Sequence, residues 1–186
     1  VERMPDAQDE IYYITADTFA AAQNSPHLEA FRDNDLEVLL MYEPIDEWVV
    51  NSLHEYDGYE LQSIARGDVD LDVDEQEDGD REEPDSDEFA DLIERFESHL
   101  SEDVQDVRLS SRLTESPACL VASEGGITGN MDRILKAAGQ ASPGFKPILE
   151  LNPTHPIIQR LNENPGDEHM DDWVQVIFDQ ALIGEG

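Results

Sequence analysis

The chain has 186 residues, enough for one or two domains with cores of their own, and its hydrophobic share of 39% is compatible with a globular fold. Its 45 acidic residues against 11 Lys and Arg give a formal net charge of −34, which excludes general binding to nucleic-acid phosphate or anionic lipid. Cys119 is the only cysteine, which rules out an intrachain disulfide framework and suits a reducing, cytoplasmic compartment.

Ile11–Thr15 is a short run of β-branched and aromatic residues and reads as a strand. Ala16, Asp17 and Thr18 offer caps and first-turn residues for a helix. Phe19, Ala22, His27, Leu28 and Phe31 carry its apolar face, with an interruption near Ser25-Pro26. Leu36–Met41 is nearly all apolar, as a parallel strand covered on both faces should be. Ile45, Trp48, Val49, Leu53 and Tyr56 mark a second helix, and Tyr59–Ala65 supplies a third strand. Strands alternating with helices predict a small parallel three-layer βαβαβ unit.

Residues 68–88 contain almost no apolar side chains and read as an acidic connector unable to bury a core. Beyond it, Phe89, Leu92, Ile93, Phe96 and Leu100 form a helix face, with Asp85 or Ser86 as the expected cap. Val107, Leu109, Ser111 and Leu113 alternate, and "ACLVAS" follows, which predicts an antiparallel strand pair. Helices are expected at about 127–138, from about 154 and from about 168 to 183, with a strand at 145–150. The expected fold class is therefore α/β followed by α+β, divided into residues 1–67, a 68–88 linker and residues 89–186.

Ile127, Met131, Ile134 and Leu135 place one apolar stripe on a helix that opens with "EGG" and holds Gly129 in its first turn, a poor autonomous helix. From the pattern alone, ordinary core packing explains that stripe. Trp173, Val174, Val176, Ile177, Phe178, Ala181 and Leu182 cover more than one face of the last helix, so it is expected to be buried from several sides. Glu47, Trp48 and Asn51 lie near one another on the Ile45–Tyr56 helix, where Trp48 is either plain core or a functional surface tryptophan.

The wording of several segments resembles one family. "IYYITAD", "SPHLEAFR", "EVLLM" and "PIDEW" are similar to the end of the middle domain of the ninety-kilodalton heat-shock chaperones, in particular their bacterial form. The resemblance continues through "DVRLSSRLTESPACLV", "AAGQ", "LELNPTHPII" and "WVQVIFDQALI", in family order and over nearly the whole chain apart from the acidic stretch. It implies a middle-domain end followed by most of a C-terminal client-binding and dimerisation domain. The opening "VERMPDAQDEIYY" resembles the interior of a family sequence, so an excised piece is expected.

Further expectations follow from that resemblance alone. Ile127, Met131, Ile134 and Leu135 would contact partly unfolded client proteins, with Glu47, Trp48 and Asn51 as a second client patch. Trp173, Val174, Ile177, Phe178, Ala181 and Leu182 would contribute to homodimerisation, weakened because the helix that follows in the family is absent. ATP and magnesium would serve the parent protein from upstream domains. No cofactor, metal site, catalytic residue or ATPase activity is expected in this chain.

The residues themselves offer little rival chemistry. "EGGITGN" at 124–130 lacks the lysine and hydroxyl of a phosphate loop, and Glu124 adds like charge. "DEQEDG" at 74–79 matches a calcium loop poorly, since Gln76 and Asp85 stand at ligand positions. "RGD" at 66–68 is three common residues, the five histidines show no ligand spacing, and Cys119 reads as a core thiol. The rival reading is an acidic module that orders around divalent cations. Residues 1–10 resemble no signal peptide, and no apolar run approaches the ~20 residues that span a bilayer, so no membrane partner is expected. Acidity spread over the helices with only Lys136 and Lys146 as lysines favours adaptation to high salt over a simple solubility surface.

Overall fold

The computed structural model describes residues 3–5, 8–66, 87–123, 126–142 and 144–185. Its first sheet has the order β2-β1-β4-β3. Strand β1 (Ile11–Thr15) runs parallel to both β2 (Val38–Met41) and β4 (Tyr59–Ser63), with Tyr13 opposite Leu39 and Ser63. Between β1 and β2 the chain forms α1 (Phe19–Gln23), a 3-10 turn at Pro26–Leu28 and α2 (Glu29–Asp33). Thr18 caps α1 by accepting from the Ala21 amide, and Ser25 caps the turn, whose first residue is Pro26. Tyr12, Ile14, Val38, Leu40 and Ile64 join Ala22, Leu28 and Phe31 in one core.

The sheet is mixed rather than purely parallel. The helix expected over Ile45–Tyr56 is only α3 (Asp46–Val50), and Tyr56 belongs to β3 (Glu55–Tyr56), an antiparallel edge strand on β4. The cause is the Asp57-Gly58 turn. Both residues have positive φ, 56° and 87°, which suits a two-residue hairpin loop.

The second sheet has the order β5-β7-β6. The expected antiparallel pair does not form, because β7 (Ile148–Leu151) lies between β5 (Asp106–Leu109) and β6 (Ala118–Val121), parallel to the first and antiparallel to the second. Strand β5 ends at Leu109 because the Ser110 hydroxyl accepts from the amides of Arg112 and Leu113 and curls the chain out of the sheet. On one face, Val107, Ala118, Leu120, Leu149 and Leu151 pack with α4 (Ala90–His99), α6 (Pro156–Glu163) and α7 (Met170–Gly184). Helix α4 has Phe89 at its N-cap with no side-chain cap bond; Asp85 and Ser86, like most of the acidic connector, lie outside the described residues.

Helix α7 is covered on one side only. Val174, Ile177, Phe178 and Ala181 are buried in the chain's own core, whereas Trp173, Val176, Leu182 and Ile183 are exposed. The expectation of burial from several sides is thus corrected within the single chain: β6 takes one face and solvent the other. Among the described residues, no helix is long and apolar enough to cross a membrane.

Candidate functional site

The two sheets meet along a polar seam. Strand β7 is central and fully buried, yet carries Glu150, 4% exposed, in the middle of "ILEL". A buried carboxylate requires partners. Arg108 donates to its Oε1 from Nη2 at 2.6 Å, and Arg112 donates to its Oε2 from Nε at 3.0 Å. Burial pushes the Glu150 carboxyl up, but the two guanidinium groups outweigh it and hold the group below its ordinary value. Arg112 then reaches across the seam, donating from Nη1 to the carbonyls of Ile64 and Arg66 at 3.0 Å each. Cys119 is buried beside this cluster, and its thiol pKa is raised well above the ordinary value, first by burial and then by Glu150. It is a core thiol.

Glu29 makes a second crossing. Its carboxylate accepts from the amides of Thr114, Glu115 and Ser116 at 2.9, 2.8 and 3.1 Å, so three successive donors converge on one side chain. Burial raises the Glu29 pKa, but the hydrogen bond from the Ser116 side chain and those from the three amides prevail and lower it. The Ala122 amide also donates to the Ala65 carbonyl at 3.0 Å, and His27 Nε2 lies 2.9 Å from Glu185 Oε1.

This seam places α3 opposite α5 (Gly129–Ala137). Glu47, 3% exposed, accepts at Oε1 from Asn130 Nδ2 at 2.8 Å and Thr128 Oγ1 at 3.2 Å. Thr128 also caps α5 by accepting from the Met131 amide. Gly129 admits the Phe145 ring, which a Cβ at that position would meet at 3.3 Å. Asp132 ties down the following loop: it accepts from the Ser142 hydroxyl and pairs with Lys136 at 2.6 Å.

Between the helices lies a cleft of about 370 Å³, lined by Tyr13, Thr15, Glu47, Asn51, His54, Ser63, Arg66, Ile127, Thr128 and Met131. Four residues singled out in the sequence, Glu47, Asn51, Ile127 and Met131, therefore face one cavity. Ile127, Met131, Ile134 and Leu135 are half-buried rather than open, and Ile134 and Leu135 do not line the cleft. Trp48 does not line it either; its side chain is 49% exposed beside the exposed Ile45 and Val49. Glu47 is a structural acceptor more than a surface group. Glu29, Arg112 and Glu150, which bridge the seam, are missed by the sequence reading; of the three only Glu150, a carboxylate inside the apolar "ILEL", carries a local signal. Among the described residues, no cluster of His, Cys, Asp or Glu could hold a metal ion.

Comparison with known proteins accounts for the whole chain. The Hsp90 protein family model matches residues 1–186. The chain is 48% identical over its full length to the chaperone protein HtpG of Nitrosococcus oceani and 50% identical to that of Cupriavidus taiwanensis, spanning 30% of the length of each. It is 51% identical over 99% of its length to the chaperone protein HtpG of Aromatoleum aromaticum, spanning 28% of that protein. A chain of mixed α/β structure that matches the family from its first residue to its last, at about half identity to bacterial HtpG proteins, belongs to the Hsp90 family.

Proposed function

We propose that this chain is the part of an ATP-dependent, HtpG-like cytoplasmic chaperone that presents apolar surface to partly unfolded client proteins and contributes to homodimerisation. The observation that carries the proposal is the joining of α3 and α5 by Glu47, which puts Asn51, Ile127 and Met131 on one cleft, with Trp48 exposed on the same helix α3. A surface of half-buried aliphatic and thioether groups beside an exposed indole suits clients that share exposed apolar segments but differ in sequence, since methionine adapts its shape to varied partners. Binding of this kind is weak at each patch and gains strength through multivalency.

In this reading residues 1–67 end the middle domain, 68–88 form an acidic linker and 89–186 form most of the C-terminal domain. Trp173 and Leu182 extend an exposed stripe with Val176 and Ile183, and this stripe supplies the dimer contact; Val174, Ile177, Phe178 and Ala181 support it from the core. ATP and magnesium act in the parent protein, outside this chain, whose own work is non-covalent.

The test is suppression of aggregation of a heat-denatured model client at high salt, comparing the chain with an Ile127→Ser/Met131→Ser variant of matching circular dichroism. The variant is expected to lose most of the holding activity. Equal holding by both proteins would place the client surface elsewhere.

A further inference from the structure

The α3–α5 cleft is lined by two kinds of side chain. Val50, Leu61, Ile127 and Met131 give it aliphatic and thioether surface. The sheet adds the hydroxyls of Tyr13 and Ser63, which stand side by side in the β1–β4 register, and Arg66 follows just beyond the end of β4. The seam holds the Arg66 backbone in place, since its carbonyl accepts from Arg112 Nη1 at 3.0 Å.

Two of these polar groups are left without partners. Ser63 is 4% exposed, and its buried hydroxyl has no hydrogen-bond partner; the Tyr13 phenol lies beside it without meeting hydrogen-bond geometry. An unpaired buried hydroxyl costs stability and suits a position that a ligand completes. Arg66 is the one Lys or Arg on the cleft, and among the described residues it belongs to no ion pair, although 45 acidic residues compete for 11 such cations. Burial raises the Tyr13 pKa, while Arg66 and then Ser63 oppose the rise, which sets both groups around the same phenol. Glu47, the one carboxylate on the cleft, already accepts from Thr128 and Asn130.

We propose that the cleft prefers client segments in which an acidic side chain stands next to apolar ones, with Arg66 and Ser63 donating to the carboxylate while Ile127 and Met131 receive its apolar neighbours. A guanidinium and a hydroxyl that lack acceptors are both satisfied by one carboxylate, and Arg66 balances its single charge. A dianion such as phosphate fits less well, because Glu47 lines the same cleft. The net charge of −34 repels an acidic segment at long range, but salt shortens that field and leaves contacts of hydrogen-bond length in place. The preference rests on the reading of the cleft as a client site.

The test is fluorescence anisotropy at about 1 M KCl with two labelled leucine-rich peptides that differ only in a central Glu or Gln. The Glu peptide is expected to bind about fivefold more tightly. Arg66→Gln should remove the difference between the two peptides, and Ile127→Ser/Met131→Ser should weaken both alike. Ser63→Ala should cut the preference to about twofold without lowering the thermal midpoint, since it deletes a hydroxyl that the folded chain leaves unpaired. A purely structural Ser63 would give the reverse, a lower midpoint with the preference intact. Equal binding of the two peptides, lost in the Ile127/Met131 variant, would overturn the acidic preference and leave the client cleft standing. Binding of neither peptide would overturn both readings, and a preference that survives Arg66→Gln would overturn the role of Arg66 and with it the proposal.

Discussion

Glu47 Oε1 accepts a hydrogen bond from Asn130 Nδ2 at 2.8 Å, joining residues 83 positions apart in the chain. The same oxygen accepts from Thr128 at 3.2 Å, and Thr128 caps the helix whose first turn holds Asn130. The first turn of the amphipathic helix α5 is therefore tied down by a side chain from helix α3. Glu47→Ala would leave two buried donors unsatisfied and is expected to cost about 1–3 kcal/mol in chemical denaturation. Glu47→Gln, which keeps one acceptor oxygen, should recover most of that loss.

The seam predicts a specific response to acid. Glu29 and Glu150 both titrate below the ordinary 4.5 in the folded chain, because their hydrogen bonds and guanidinium partners outweigh burial. The unfolded chain then binds their protons first as pH falls. Their contribution to stability is complete above the ordinary carboxylate range and is lost as pH drops through the folded values. Urea denaturation in molar KCl, which screens the general acidic repulsion, should show this loss below about pH 4.5. Glu29→Gln should lower stability at neutral pH and flatten the acid dependence.

Helix α7 separates core from surface within about a turn and a half. Phe178 is 5% and Ile183 80% exposed. Phe178→Ala is expected to destabilise the chain by about 3–5 kcal/mol, whereas Ile183→Ser should stay within about 0.5 kcal/mol. In the parent-length protein the same Ile183→Ser change, combined with Val176→Ser, should raise the dimer dissociation constant measured by sedimentation.

The charge predicts salt dependence. With 45 acidic and 11 basic residues, self-repulsion opposes the compact state until ions screen it. The thermal midpoint should rise by more than about 5 °C between roughly 0.1 and 2 M KCl. A midpoint flat in salt would make the acidity a solubility feature only.

Where local chemistry decides structure, the sequence was readable. Thr18 caps a helix, Ser25-Pro26 breaks it, and the apolar run before Met41 becomes a strand beside Ile11–Thr15. Asp57-Gly58 was equally local and was missed, because Tyr56 also fits the helical spacing of the residues before it. The order of the second sheet was not local at all. Alternation in "VRLSSRLT" and "ACLVAS" shows that strands form, but the choice of β7 as their shared neighbour depends on burying Leu149 and Leu151 on one face and pairing Glu150 on the other. Apolarity around α7 marked a helix with two faces to cover, without showing that its own chain covers only one. Glu29 and Glu150 stayed hidden among 45 acidic residues. A carboxylate inside "ILEL" was the available signal, since a charge within an apolar strand demands a buried partner.

The central claim is that the lip formed by α3 and α5 touches client. Photocrosslinking tests it most directly, with a benzophenone side chain placed in turn at Met131, at Trp48 and at Ser98 on the remote helix α4, in the presence of an unfolded model client. The account predicts saturable crosslinks at Met131 and Trp48 that excess unlabelled client removes, and background at Ser98. Crosslinks of equal yield at all three positions, or at Ser98 alone, would contradict it.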